Sequence, residues 1–131
     1  MLVLLDADDD CPAEYGPVLL ARAQAARADK QVSVVLANRE FEAWFLASAP
    51  SLAGQFGFPA EFPGPHNPEA LRDCKGMLTR MRPKGQPYKE TVDQAPITSV
   101  FDLKMARERS SSFDKFYREV SQLLGIGESK S

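Results

Sequence analysis

The sequence has 131 residues, of which 44% are hydrophobic and 26% are charged, and this is the ordinary composition of one globular domain. Sixteen basic and eighteen acidic residues give a formal net charge of -2, so contact with nucleic acid would need a local basic patch. The opening apolar run is too short for a signal peptide or a membrane span, and we expect a soluble cytoplasmic protein without membrane contact. Cys11, Cys74 and the single histidine His66 do not form a zinc or disulfide pattern.

The amino-terminal part of the chain predicts a strand, a helix and a second strand. The unbroken apolar runs at 2–5 and 32–37 are typical of strands buried on both faces of a parallel sheet, and a helix is predicted to begin near Gly16. A βαβ unit brings the carboxyl ends of its strands to one edge of the sheet. We therefore expect Asp6 and Asn38 to lie side by side.

The remainder of the chain predicts helices joined by loops. A short helix with an aromatic stripe at 41–48 should pack on the core, because its helical spacing favours packing over base stacking. An irregular loop is predicted at 51–68, and the next helix is predicted to begin at Asn67. Two closing helices are predicted to begin at Pro96 and Ser111.

These elements define an α/β fold with a parallel sheet, one visible βαβ unit and a helical carboxyl-terminal half. We expect a single domain over residues 1–125 and a flexible tail at 126–131. Two parallel strands alone do not make a stable sheet. The sequence therefore predicts that further strands come from a partner chain, from a second copy, or from a segment upstream of Met1.

Four acidic residues crowd the end of the first predicted strand. Asp6, Asp8 and Asp10 follow that strand at the edge where open α/β sheets place their ligands. Carboxylates spaced two residues apart there can converge on Mg²⁺ or Mn²⁺, and Asp6 and Asp8 are the better pair. The alternative is that Asp8, Asp9 and Asp10 form a solvated turn and cap the next helix.

Two further acids, Glu40 and Glu42, follow the second predicted strand at the same edge. Either could complete the coordination shell of an ion held by the aspartates. If both were helical they would point about 200° apart, so only one would face the aspartates. The alternative is that acids simply favour the first turn of a helix.

The stretches LLDADDD, REFEAWFLASAP and YKETVDQAPITSVFDLKMARERSSSFDKFYREV follow one another along the chain. Together they resemble an uncharacterised bacterial family with a Toprim-like fold, a domain of unknown function often encoded beside AAA-type ATPases. The resemblance implies phosphodiester chemistry with Mg²⁺ or Mn²⁺, with Asp6 and Asp8 matching the Toprim DxD pair and Lys89 matching a family lysine. The glutamate of the first Toprim strand has no counterpart, since no strand precedes Leu2.

The densest basic run flanks a glycine- and proline-rich connection. It consists of Lys75, Arg80, Arg82, Lys84 and Lys89. Such residues supply phosphate contacts that are independent of nucleic-acid sequence, although a charged run is also typical of a solvated surface. We expect nucleic acid, if bound, to contact this run.

The function expected from these features is metal-dependent cleavage of phosphodiesters by a nuclease-like protein, with a role in anti-phage defence implied by the resemblance. The first alternative is a non-catalytic subunit that binds an AAA-type ATPase or a second copy of itself. The second alternative is a dehalogenase-type phosphatase with Asp6 as covalent nucleophile, although Asp10 stands where that family has threonine or valine.

Overall fold

The computed structural model describes residues 1–8 and 10–126 of the chain. Asp9 and most of the predicted tail at 126–131 therefore lie outside the described residues. The strands are β1 (Leu2–Asp6) and β2 (Ser33–Ala37). The helices are α1 (Pro12–Ala26), α2 (Ala43–Ala47), α3 (Cys74–Met81), α4 (Glu90–Thr98), α5 (Leu103–Arg109) and α6 (Ser111–Leu123), with 3-10 turns at Ala49–Leu52 and Pro68–Ala70. In this part of the chain no helix is both long and apolar enough to span a bilayer.

The two strands form a parallel sheet that is connected through α1. Their register runs from Leu2 opposite Ser33 to Asp6 opposite Ala37. Every residue of β2 is buried, whereas the last two residues of β1 are exposed. The predicted α/β class, with its βαβ unit and mostly helical carboxyl-terminal half, is confirmed.

The two outer edges of this sheet differ in their covering. Along β2, the Asn38 amide donates to Ser112 Oγ at 3.3 Å, and the Ser33 hydroxyl donates to Glu119 at 2.8 Å, so α6 covers that edge. Along β1, the odd-numbered residues bond to β2, and the parallel ladder directs the backbone groups of residues 2, 4 and 6 outward. In the described residues these outward groups of β1 carry no backbone hydrogen bond.

Trp44 joins the short helix α2 to α6 at the centre of the core. Its side chain is fully buried, and its ring centroid lies 4.9 Å from Phe41, 5.0 Å from Phe113 and 5.1 Å from Phe116. The indole Nε1 donates to Ser112 Oγ at 2.8 Å, which satisfies the one polar group of the ring. The aromatic stripe thus packs in the core.

Two predicted helix starts differ from the structure for local reasons, a proline in the first turn of α1 and a capping side chain before α3. Helix α1 begins at Pro12 rather than near Gly16, since a proline is well tolerated in the first turn, and Pro17 lies inside the helix. Helix α3 begins at Cys74 rather than at Asn67, because the Asp73 side chain accepts the Gly76 amide and caps it there.

Three helices, α4, α5 and α6, stand where two closing helices were predicted. Pro96 lies inside α4 and does not begin it. The chain breaks after α4 because the Asp102 carboxylate accepts the Met105 amide and caps α5. Ser110 caps α6 by accepting the Phe113 amide, and Gly125 follows the carboxyl end of α6 with a φ of 70°.

Candidate functional site

The ammonium group of Lys75 lies among four carboxylates at the carboxyl edge of the sheet. Its Nζ atom is 3.1 Å from Glu90 Oε1, 3.7 Å from Glu42 Oε1, 3.9 Å from Glu40 Oε1 and 4.0 Å from Asp6 Oδ2. These residues come from β1, from the turn after β2, and from the first turns of α3 and α4. We call this set of five side chains the Lys75 cluster.

Asp6 ends β1, and the fold holds its side chain by one oxygen. Oδ1 accepts the backbone amide of Phe41 at 2.8 Å, while Oδ2 faces Lys75 and accepts no hydrogen bond from the described residues. Burial raises the pKa of Asp6, and the nearby charge of Glu42 raises it further, against the opposing effects of Phe41 and Lys75. The structure thus brings this predicted residue into the cluster.

Glu42 is fully buried, which is rare for a carboxylate. Its Oε2 accepts the Tyr88 hydroxyl at 2.7 Å and Gln94 Nε2 at 3.0 Å. Burial and this hydrogen bond raise the pKa of Tyr88, so the phenol remains a donor at neutral pH. The other oxygen, Oε1, is buried without a hydrogen-bond donor and faces Lys75.

Glu40 ties the amino end of α3 to the turn after β2. Its Oε2 accepts the Cys74 amide at 3.1 Å, and its Oε1 accepts the Lys75 amide at 3.3 Å. Burial raises the pKa of Glu40, with the two amides opposing the change. Because α2 begins only at Ala43, both Glu40 and Glu42 lie in a turn, and both reach Lys75.

Asp8 lies beside the Lys75 cluster and outside it. Its backbone has a φ of 52°, and its amide donates to the Arg39 carbonyl at 2.7 Å. The exposed side chain lines a small cleft of about 110 Å³ together with Arg39, Glu40 and Arg72. Asp8 therefore shares this cleft with Glu40 of the cluster.

The predicted basic run is divided between internal ion pairs and the surface. Lys75 belongs to the cluster, and Arg82 Nη1 pairs with Asp93 at 2.8 Å with both side chains largely buried. Arg80 pairs loosely with Asp73 at 3.9 Å, while Lys84 and Lys89 are exposed. Lys89 begins α4 through its own amide, which donates to Asp93. Only part of the run is therefore directed to solvent.

Sequence reasoning missed Glu90, Tyr88 and Gln94, and it assigned Lys75 to a basic surface run rather than to the acids. One signal was present for Lys75, because a lysine in the first turn of a helix opposes the helix dipole and calls for nearby acids. The thiol of Cys74, next to Lys75 in sequence, remains protonated and unreactive at neutral pH, because burial raises its pKa to about 12.

The donor set of the cluster suits a hard divalent cation. Among residues 1–8 and 10–126, no three acid, histidine or cysteine side chains are already arranged as a ligand set. However, Mg²⁺ commonly uses only one or two protein carboxylates and keeps waters or substrate phosphates as its other ligands. Asp6 Oδ2 and Glu42 Oε1 are two such oxygens, and neither accepts a hydrogen bond from the residues that the structure describes.

The fold and site define an α/β domain with a partly buried acidic cluster at the carboxyl edge of a parallel sheet. Residues 1–121 match the family model described as "Domain of unknown function (DUF4276)", and the chain belongs to that family. Neither a curated protein nor a solved structure matches the chain. The predicted membership in an uncharacterised family is thereby confirmed at this level.

Proposed function

We propose that this protein is a Mg²⁺- or Mn²⁺-dependent enzyme that cleaves phosphodiester bonds at the Lys75 cluster. The observation that carries the proposal is Glu42 Oε1, an oxygen of a fully buried carboxylate that accepts no hydrogen bond. Leaving such an oxygen without a donor is costly, and the Lys75 ammonium at 3.7 Å is too far to donate a hydrogen bond, so the oxygen calls for a cation in direct contact.

The charge balance supports the same cation. Asp6, Glu40, Glu42 and Glu90 supply four formal negative charges around the ammonium of Lys75, while Arg39 and Arg72 line the adjacent cleft beside Glu40. Hydrogen bonds from amides, Tyr88 and Gln94 stabilise these carboxylates but add no positive charge. A divalent ion would relieve most of the remaining repulsion.

Each residue has a distinct role in this proposal. Asp6 and Glu42 hold the ion, Glu40 fixes the amino end of α3, and Asp8 reaches the site from the adjacent cleft through water. The bound ion would neutralise charge on the phosphoryl oxygens and activate a water molecule. The exposed Lys89 contacts the phosphate backbone of the substrate from the start of α4.

A Toprim relationship would agree with this assignment, because Asp6 and Asp8 match the paired aspartates of that fold. We propose this relationship, and with it a role beside an AAA-type ATPase in anti-phage defence. The proposal also agrees with the cleft that Asp8 shares with Glu40 of the cluster.

Calorimetric titration with Mn²⁺, paired with cleavage assays on plasmid and single-stranded DNA, tests the proposal. We expect about one ion per chain, because the cluster offers one pair of carboxylate oxygens without donors. We also expect cleavage that chelation of the metal abolishes and that leaves no phosphorylated Asp6. If the folded protein binds no Mn²⁺, the proposal is wrong. A phosphorylated Asp6 would instead support the dehalogenase-type reaction.

The open edge of β1 favours a second candidate function, that of a subunit completed by a partner strand. Within the described part of the chain its outward backbone groups carry no backbone hydrogen bond, and Leu5 beside them is 45% exposed. An edge of this kind can pair with a strand of an ATPase partner or of a second copy. Light scattering on the titration samples tests self-association. A dimer is the expected result, and a monomer would mean that the added strand comes from a different protein.

A further inference from the structure

Each of the three innermost carboxylates of the Lys75 cluster is anchored by backbone or side-chain donors. Asp6 and Glu42 each use one oxygen for these hydrogen bonds and present the other to Lys75. Glu40 accepts two amides of α3 and also faces the ammonium. The acids are therefore held in place whether or not the ammonium is present.

Lys75 itself is held much less firmly than the acids around it. Among the carboxylates of the cluster, Glu90 alone lies within hydrogen-bond distance of the Nζ atom of Lys75, and the other three oxygens lie at 3.7 to 4.0 Å. The Lys75 side chain is 35% exposed and Glu90 is 54% exposed, so both lie at the rim of the cluster. A lysine has a flexible four-carbon stem, and its ammonium is a common ligand of phosphate.

We propose that Lys75 is a displaceable counter-ion whose ammonium exchanges with the divalent cation. In the metal-free chain the ammonium faces the oxygens of Asp6 and Glu42 that lack hydrogen bonds. When Mn²⁺ or Mg²⁺ binds these oxygens, Lys75 moves outward with Glu90 and contacts a phosphate group of the substrate. This inference rests on the proposed function, and it adds that Lys75 competes with the metal while it also recruits the substrate.

Calorimetric Mn²⁺ titration of Lys75→Gln tests the competition, with Lys30→Gln as the control for the loss of one positive charge at an exposed site. Removing a competing charge a few ångströms from the ion should raise Mn²⁺ affinity about tenfold. Lys30→Gln should bind Mn²⁺ like the wild type. In cleavage assays Lys75→Gln should be slower than the wild type despite its tighter metal binding, because it lacks the phosphate contact.

Chemical labelling of the wild-type chain gives a measurement that does not depend on a variant's folding. We expect acetylation of Lys75, followed by mass spectrometry of its peptide, to become faster when saturating Mg²⁺ is added. The labelling of Lys30 should not change.

The outcomes separate this inference from the function on which it rests. If the wild type binds Mn²⁺ but Lys75→Gln binds it equally or more weakly, Lys75 does not compete and only the inference is overturned. Unchanged labelling of Lys75 in the presence of Mg²⁺ overturns it in the same way. If the folded wild type binds no Mn²⁺, the inference and the proposed function both fail.

Discussion

Replacing Glu42 with glutamine is expected to weaken Mn²⁺ binding at least about 100-fold, since substitutions that only disturb the orientation of a metal ligand already cost 10- to 100-fold. Metal-dependent cleavage should fall to background for the same reason. The amide keeps an oxygen that can accept Tyr88 and Gln94, so the change removes charge and leaves the shape of the side chain. Calorimetry and cleavage assays on the same preparation measure both effects.

The same substitution is expected to leave the metal-free fold intact. Removing one partner of a buried ion pair is harmful when the other charge is stranded, but Lys75 retains Glu90, Glu40 and Asp6. Loss of a charge from a crowded cluster also reduces repulsion. We therefore expect the variant to stay folded, with a free energy of unfolding in urea without metal that is lower by about 1 to 3 kcal/mol, because the new buried amide NH2 faces the Lys75 ammonium and lacks an acceptor there.

Asp29→Asn is the matched control for this experiment. It also removes one carboxylate, but Asp29 follows α1 before β2, pairs with Arg27 and is 64% exposed. Its metal affinity should equal that of the wild type. If Glu42→Gln binds Mn²⁺ as tightly as Asp29→Asn does, Glu42 is not a metal ligand, and its contacts with Lys75, Tyr88 and Gln94 are structural only.

The sheet was predictable because its signals are local. The apolar runs that form β1 and β2 are continuous in sequence, and chain connectivity then places Asp6 and Asn38 at one edge. The helix boundaries were less predictable, because capping by Asp73 and Asp102 outweighs the apolar periodicity around them. Each of these carboxylates accepts an amide only three residues further along the chain, so the signal is local. Other residues in the same stretches are equally good caps, however, and the sequence alone does not select among them.

The site was predictable only in part because its contacts are distant in sequence. Asp6, Glu40 and Glu42 follow strands, so the order of elements indicated their common edge. Lys75 joins Glu40 through a hydrogen bond that spans 35 residues, and its contact with Asp6 spans a still longer stretch of chain. It also stands in a run that predicts a basic surface. No periodicity distinguishes a lysine turned toward acids from one turned toward solvent.

Replacing Trp44 with alanine is expected to lower the free energy of unfolding by about 3 to 5 kcal/mol, the usual cost of emptying a large aromatic site. The ring is fully buried and contacts Phe41, Phe113 and Phe116, so its loss opens a cavity between α2 and α6. It also removes a donor from Ser112 Oγ. Urea unfolding followed by circular dichroism measures the change.

Trp44→Phe and Val92→Ala complete this test, and they remain informative if Trp44→Ala does not fold. Trp44→Phe keeps most of the aromatic packing but loses the hydrogen bond to Ser112, so a cost of about 1 to 2 kcal/mol is expected. Val92 is 63% exposed, and its truncation should change stability by less than about 0.5 kcal/mol. Equal stabilities for Trp44→Phe and Val92→Ala would mean that the indole hydrogen bond does not stabilise the fold. Because Ser112 Oγ also accepts the Asn38 amide at the edge of β2, a loss larger than the expected range would mean that this bond supports the sheet as well as the core.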